Sequence, residues 1–301
     1  MVIPDMIHRT PLPFFRGDVR LAGQLFRNTD RLDVQQPAIV ATGSWLTVKE
    51  QMPATYAVPL AERGYTVFTF DFSGFGESGG EPRQAEIPDR KIADLIAAID
   101  FVNTLAFVEP DRVAHLAICA SAQYGLAALA RGARASHFIS IAGWYHDPVS
   151  VAPFYGGMPG VATRLDVARS ALDDYLSTGT VVTVPAYKAG DETAAMFFDL
   201  DYYGNPSRGA VAQWHNAMAT LSWSYWFTFD GLRAADHVQT PALFVHSDGC
   251  VFPDNVRSIY ARLRGPKQLV WSEGTQTDFY DQPTQVRVAV DAADAFLKAA
   301  R

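Results

Sequence analysis

The chain has 301 residues, 49% of them apolar, and 25 Lys and Arg against 32 Asp and Glu give it a formal net charge of −7. That balance argues against nucleic-acid binding, which needs a basic face, and against docking on an anionic membrane, and no stretch is apolar enough to span a bilayer. The only cysteines, Cys119 and Cys250, cannot make a disulfide framework. Met1 to Pro13 has no apolar run behind a positive region, so no signal peptide is expected. A reducing cytoplasm, where Cys119 stays a thiol, is the expected location.

Asp18 to Phe26 reads as an opening strand, followed by the short apolar strand Pro37 to Ala41, which ends in Thr42-Gly43-Ser44-Trp45. Tyr65 to Phe70 is a β-branched and aromatic strand. Ile92, Leu95, Ile96, Ile99 and Val102 fall at helical spacing. Arg112 to Ile118 is a buried strand that runs into an Ala-rich helix, Ala122 to Ala130, with Gly132 just past its end. His137 to Ala142 and Pro241 to His246 are further strands. Pro253 to Arg264 is helical, Lys267 to Trp271 is a strand and Pro283 to Ala300 a final helix. This alternation predicts an α/β class with a mostly parallel sheet flanked by helices.

The alternation stops between Trp144 and about Ala235, a stretch dense in aromatic rings. It reads as a cap insertion, 144–235, over a core made of 1–143 and 236–301, at the sheet edge where open α/β sheets bind ligands. Tyr124 on the Ala-rich helix and Trp144, Tyr145, Trp223 and Trp226 are the rings expected to line an apolar pocket beneath it.

Ala117-Ile118-Cys119-Ala120-Ser121 sits at the strand-to-helix junction. A nucleophile elbow needs small residues on either side of the nucleophile, because the turn is tight and strained. Here Ala117 and Ser121 are those residues and a thiol replaces the hydroxyl. A helix N-terminus also lowers a thiol pKa. An acyl oxyanion would need N–H donors: Ala120 after the nucleophile, and Ser44 or Trp45 from the earlier loop. Asp248, after the strand ending at His246, is the candidate acid. Trp271 to Asp281, where a base is expected, has no histidine; Gln276 takes that place, and an amide cannot shuttle a proton at neutral pH. His146 is the best substitute base, with pinning of the cap as its equal alternative. His246 begins the acid loop. His115 is read as structural, and His8, His137, His215 and His237 as surface or packing residues.

Gly74-Phe-Gly76-Glu-Ser-Gly79 matches a dinucleotide fingerprint, but Pro82 and Pro88 follow and no helix opens there. It is read as a loop, and no cofactor is expected. No metal-ligand spacing appears either.

Thr42 to Gln51, Asp71 to Pro82, Ala117 to Ser121, Trp144 to Asp147 and Thr275 to Asp281 together resemble the dienelactone-hydrolase-like branch of the α/β hydrolases. Within it they are similar to the group that includes fungal polyketide transferases. The resemblance implies an α/β-hydrolase fold with Cys119 as nucleophile, Asp248 as acid, and Ala120 with the Ser44/Trp45 loop as oxyanion donors. The histidine position falls on Gln276, and Ser73 stands where the superfamily usually has arginine. The missing histidine argues against simple hydrolysis, because deacylation needs a base to activate water. Three readings follow, in order: a cysteine-nucleophile hydrolase or acyl transferase for an apolar acyl, ester or lactone-like small molecule; a non-covalent cyclase or lyase using the same pocket; and a ligand-binding protein without activity. No nucleic-acid or membrane partner is expected, and a homodimer stays open.

Overall fold

A computed structural model describes residues 4–299. Its main sheet has eight strands: β1 Ile7–Pro11, β2 Gly23–Asn28, β3 Gln36–Thr42, β4 Thr66–Phe70, β5 Val108–Ile118, β6 Phe138–Ile141, β7 Ala242–His246 and β8 Lys267–Trp271. They lie in the order β1-β2-β4-β3-β5-β6-β7-β8. β2 is antiparallel to β1 and β4, and every other neighbouring pair is parallel. Helices α1 Met52–Glu62, α2 Pro88–Asn103, α3 Ser121–Ala130, α4 Gly157–Thr178, α5 Pro253–Arg262 and α6 Pro283–Ala299 accompany it. This is the α/β-hydrolase fold.

The central strands are buried on both faces, as the near-continuous apolar runs of β3, β5 and β7 require. Register then sets the site. Thr42 pairs with Ala117, Ile118 with Ile141, and Ile141 with Val245. The carboxyl ends of β3, β5, β6 and β7 are therefore level, and the loops after them meet at one edge, where open α/β sheets bind ligands. α3 packs closely on β5 because residue 125 is glycine: a Cβ there would come within 2.5 Å of the His115 ring.

The predicted opening strand is two elements. Gly17, in the left-handed region, turns the hairpin Phe14–Arg16/Val19–Leu21, and β2 begins only at Gly23. β1 and α1 are not legible from pattern. α1 carries Pro53 in its first turn and Pro59 inside; proline disfavours a helix interior, and here eight buried side chains from Met52 to Ala61 hold the segment helical.

Between β6 and β7 the chain forms α4, short helices at Pro148–Val151, Asp201–Gly204 and Ser222–Trp226, and a two-stranded ribbon of Thr183–Val184 with Met218–Ala219. Among the described residues, no helix is long and apolar enough to cross a membrane.

Candidate active site

Cys119 occupies the sharp turn between β5 and α3 with φ +58°. A left-handed φ is uncommon for a residue with a Cβ, and it persists where the surroundings over-determine it. They do so here. The Cys119 N–H continues the β5–β6 ladder to Ile141 O at 3.1 Å, and Cys119 O accepts from the N–H groups of Trp144 at 2.9 Å and Ala122 at 3.0 Å. Ser121, where the usual motif has glycine, locks the turn: its hydroxyl accepts from Ile118 N at 3.1 Å and donates to Thr42 O at 3.0 Å.

The loop after β3 is pinned from below. Lys49 Nζ donates to Asp71 Oδ2 and Lys49 N to Asp71 Oδ1, both at 2.8 Å, with both side chains buried. Thr47 Oγ1 donates to Ser44 O at 2.7 Å, and Trp214 Nε1 to Leu46 O at 2.8 Å. The Ser44 N–H is taken by Met52 Sδ at 3.4 Å, so of the two candidate oxyanion donors the free N–H is that of Trp45. It and the Ala120 N–H both hydrogen-bond the Cys119 sulfur. Ser44 contributes its hydroxyl, which also bonds the sulfur, as does that of Tyr280. The expected lowering of the thiol pKa does not occur. Burial pushes the Cys119 thiol up, against the smaller opposing pull of those four donors.

Gln276 lines the same cavity as Cys119. Its Oε1 accepts from Val251 N at 3.1 Å, while Nε2 donates to Ala142 O at 2.7 Å and to the Tyr280 hydroxyl at 3.1 Å. Asp248 does not join it. The Asp248 carboxylate is exposed, paired with Arg257 of α5 and accepting from Trp271 Nε1 at 3.1 Å. The acid and base loops do touch, through a backbone bridge of Gly249 with Thr275 and through the Ser247 hydroxyl, which donates to Gly274 O. Cys250 is buried, free and engaged by Ser247 Oγ at 3.3 Å.

His146 is not placed as a base. Trp144 Nε1 donates to its Nδ1 at 2.7 Å, so Nε2 carries the proton and donates to Trp226 O at 2.9 Å. Both ring nitrogens are spent on tying the start of the 144–235 segment to its end, and burial lowers the ring's pKa to about 4. His115 is held through Nε2 alone, by Thr42 Oγ1 at 2.8 Å, and its pKa is lowered by burial to about 3. A basic group whose folded pKa lies below its unfolded value contributes its full stability above pH 6.5 and loses it as pH falls toward the folded value. At pH 5 each of these two rings should cost about 2 kcal/mol. Thermal melts at pH 7.5 and pH 5 are expected to separate by several degrees, with a shallower acid slope in His115→Gln. An unchanged slope in that variant would remove His115 from the account.

The cavity over Cys119 has a volume of about 350 Å³, within the range of small-molecule pockets. Trp45 stacks on Trp226 at 4.1 Å, and Trp144 tilts against Trp226 at 5.6 Å. Phe154, Tyr155, Met196, Phe198 and Leu200 close the far wall. Of the rings expected here, Trp144 and Trp226 line the cavity, but Tyr145, Tyr124 and Trp223 do not. Tyr145 turns its hydroxyl to Ser140, Tyr124 gives its own to buried Glu86, and Trp223 stacks on Phe227 behind the wall. Each is a buried ring whose partners lie deeper in the fold. Tyr203 and Tyr280, absent from the expected set, do line it. For Tyr280 a signal existed in its closeness along the chain: it lies four residues after Gln276, whose Nε2 reaches its hydroxyl across the turn that opens the short helix Asp278–Asp281.

A sequence profile of the family described as X-Pro dipeptidyl-peptidase (S15 family) matches residues 17–277. The chain belongs to the S15 family. This S15-family chain is 31% identical over 248 residues to a polyketide transferase, ATR5, from Stachybotrys chlorohalonatus, covering 79% of this chain and 80% of that protein. It is 26% identical over 251 residues to the acyltransferase drtE from Aspergillus calidoustus, covering 79% and 78%. Its fold is similar to that of PA2218 from Pseudomonas aeruginosa, a hypothetical protein, with a TM-score of 0.83, 24% identity and 99% and 95% of the two chains covered. The α/β hydrolase GrgF from a Penicillium species superposes with a TM-score of 0.82 at 20% identity, covering 97% and 98%. An enzyme of the α/β-hydrolase type is the coarse assignment these likenesses carry.

Proposed function

We propose that this S15-family chain transfers an acyl group from an apolar ester, thioester or lactone-like small molecule, through a covalent thioester on Cys119. The observation that carries the reading is the strained Cys119 elbow facing the N–H groups of Trp45 and Ala120 at the floor of a ring-lined cavity. Two preorganised N–H donors are what a tetrahedral oxyanion needs. The apolar walls supply binding energy for the acyl chain. Likeness to proteins named as an acyltransferase and a polyketide transferase supports transfer over hydrolysis. So does Gln276, which cannot take a proton from water.

The test is intact-mass spectrometry after mixing with a medium-chain acyl thioester, without an acceptor. One acyl mass added, mapped to the peptide carrying Cys119, is the expected result. Turnover without any adduct under rapid quench would defeat the covalent reading. One observation favours a second reading in that event: burial holds the thiol above its ordinary pKa. A protonated Cys119 would then only help hold a reactive substrate in a cyclising or eliminating conformation.

A further inference from the structure

Three hydroxyls gather at the sulfur where an imidazole is expected. Ser44 Oγ lies 2.7 Å from the Tyr203 hydroxyl and 3.5 Å from that of Tyr280, and all three residues are buried. The hydrogen-bond directions follow from Gln276. Its Oε1 must accept from the Val251 N–H and its Nε2 must donate to the Ala142 carbonyl, which fixes the amide orientation. Nε2 then also donates to the Tyr280 oxygen. The phenol oxygen is an acceptor in that bond, so its own proton points elsewhere, and the partners in reach are Ser44 Oγ, the Tyr203 hydroxyl and the Cys119 sulfur. The Tyr280 ring is held edge-on by Tyr202 at 5.1 Å and Tyr203 at 6.2 Å. Tyr203 also borders a second cavity, beside the exposed Lys188.

We propose that Tyr280, Ser44 and Tyr203 form a hydroxyl relay that moves the Cys119 proton in place of the absent imidazole, with Gln276 as the residue that positions Tyr280. The proposal rests on the covalent reading above. In the first half-reaction the sulfur bonds to the acyl carbon as its proton passes to the Tyr280 oxygen. The Tyr280 proton goes to the leaving atom as the carbon–leaving-atom bond breaks, giving the thioester and a protonated leaving group. In the second half-reaction the acceptor bonds to the carbonyl carbon, the C–S bond breaks, and the acceptor's proton returns over the hydroxyls to sulfur. The sum exchanges one leaving group for one acceptor, with no net change in the relay. Hydroxyls of this kind release a proton only as they receive one. They suit an acceptor more acidic or more nucleophilic than water, such as a thiol, phenol or enol, and they leave hydrolysis slow.

The test is the pH dependence of Cys119 alkylation by iodoacetamide, in a Cys250→Ser background so that one thiol is read. Tyr280→Phe keeps the ring and removes the hydroxyl; Ser44→Ala and Tyr203→Phe complete the set, and thermal melts establish that each is folded. Removing a hydrogen bond to an ionised group is expected to slow alkylation at pH 8 about tenfold in Tyr280→Phe, with the midpoint moved to higher pH and acyl transfer reduced in step. A purely structural tyrosine would not move that midpoint. Alkylation profiles unchanged in both Tyr280→Phe and Ser44→Ala overturn the relay, and if Cys119→Ala is then inactive the covalent reading still stands. A shifted Tyr280→Phe profile with full turnover in Cys119→Ala keeps the hydroxyl contact, defeats the covalent reading and, with it, the relay.

Discussion

Cys119→Ala is expected to abolish acyl transfer, by on the order of 10⁴-fold or more, the scale of losing a nucleophile that works as a unit with its partners. Little else should change. Alanine adopts the same φ of +58° at the same cost as any residue with a Cβ, and the backbone bonds that hold the elbow, from Cys119 N to Ile141 O and from Trp144 N to Cys119 O, do not involve the sulfur. The N–H groups of Ala120 and Trp45 and the ring walls remain. Binding of a non-reactive acyl analogue should therefore stay within about twofold of the parent, while kcat collapses. That split is the signature of an interaction made in the transition state and not in the ground state. Cys119→Ser sharpens the test. A serine hydroxyl is far less acidic than a thiol, and no imidazole stands beside it, so this variant too should be nearly inactive. Stopped-flow kinetics with an acyl thioester and a thiol acceptor, alongside calorimetric binding of the analogue, check both variants. Full transfer by Cys119→Ala would end the covalent account.

Sequence pattern carries far for the sheet and less far for the site. β3, β5, β7 and β8 are runs bounded by turn residues, and their order alone places the loops at one edge. The elbow is legible because small residues at 117 and 121 have few other reasons to flank a cysteine at a strand-to-helix junction. Side-chain direction is another matter. Asp248 stands at the acid position along the chain, yet Arg257 on the next helix and the Trp271 indole draw its carboxylate to the surface. His146 stands at the right edge, but its fate is decided by Trp226, 80 residues away, whose carbonyl accepts the hydrogen bond from its Nε2. The Ser44–Tyr203 contact spans 159 residues. Such a pairing has no local periodicity to announce it, because it depends on how the segment between β6 and β7 folds back over the sheet. Proline also misleads in one place: α1 is helical through buried contacts that outweigh a local cost.

Gln276→His is expected to turn transfer toward hydrolysis. The amide at 276 lines the cavity with Cys119 and bonds Tyr280, whose hydroxyl bonds the sulfur. An imidazole in that buried place would be a base with its pKa below the ordinary value, as burial does to His146 and His115, and still able to take a proton from water as it attacks the thioester. General-base catalysis contributes about 10²–10⁴-fold when well positioned. Two features hold the expected gain in deacylation by water to about tenfold to a hundredfold, below that upper range. Asp248 is committed to Arg257 and does not orient a ring at 276, and the substitution also gives up the Val251 N–H and Tyr280 bonds of the amide. Acyl transfer should fall meanwhile, as Tyr280 loses the donor that aims its proton. The measurement is single-turnover decay of the Cys119 thioester, without acceptor, from pH 5 to pH 9. The parent should decay slowly, without an inflection near neutrality. The variant should decay faster, along a rising limb centred below pH 6.5, the side to which burial moves an imidazole. If decay stays as slow as in the parent across that range, the histidine missing from position 276 is not what separates this chain from a hydrolase, and the barrier to water must lie in the apolar walls around the thioester.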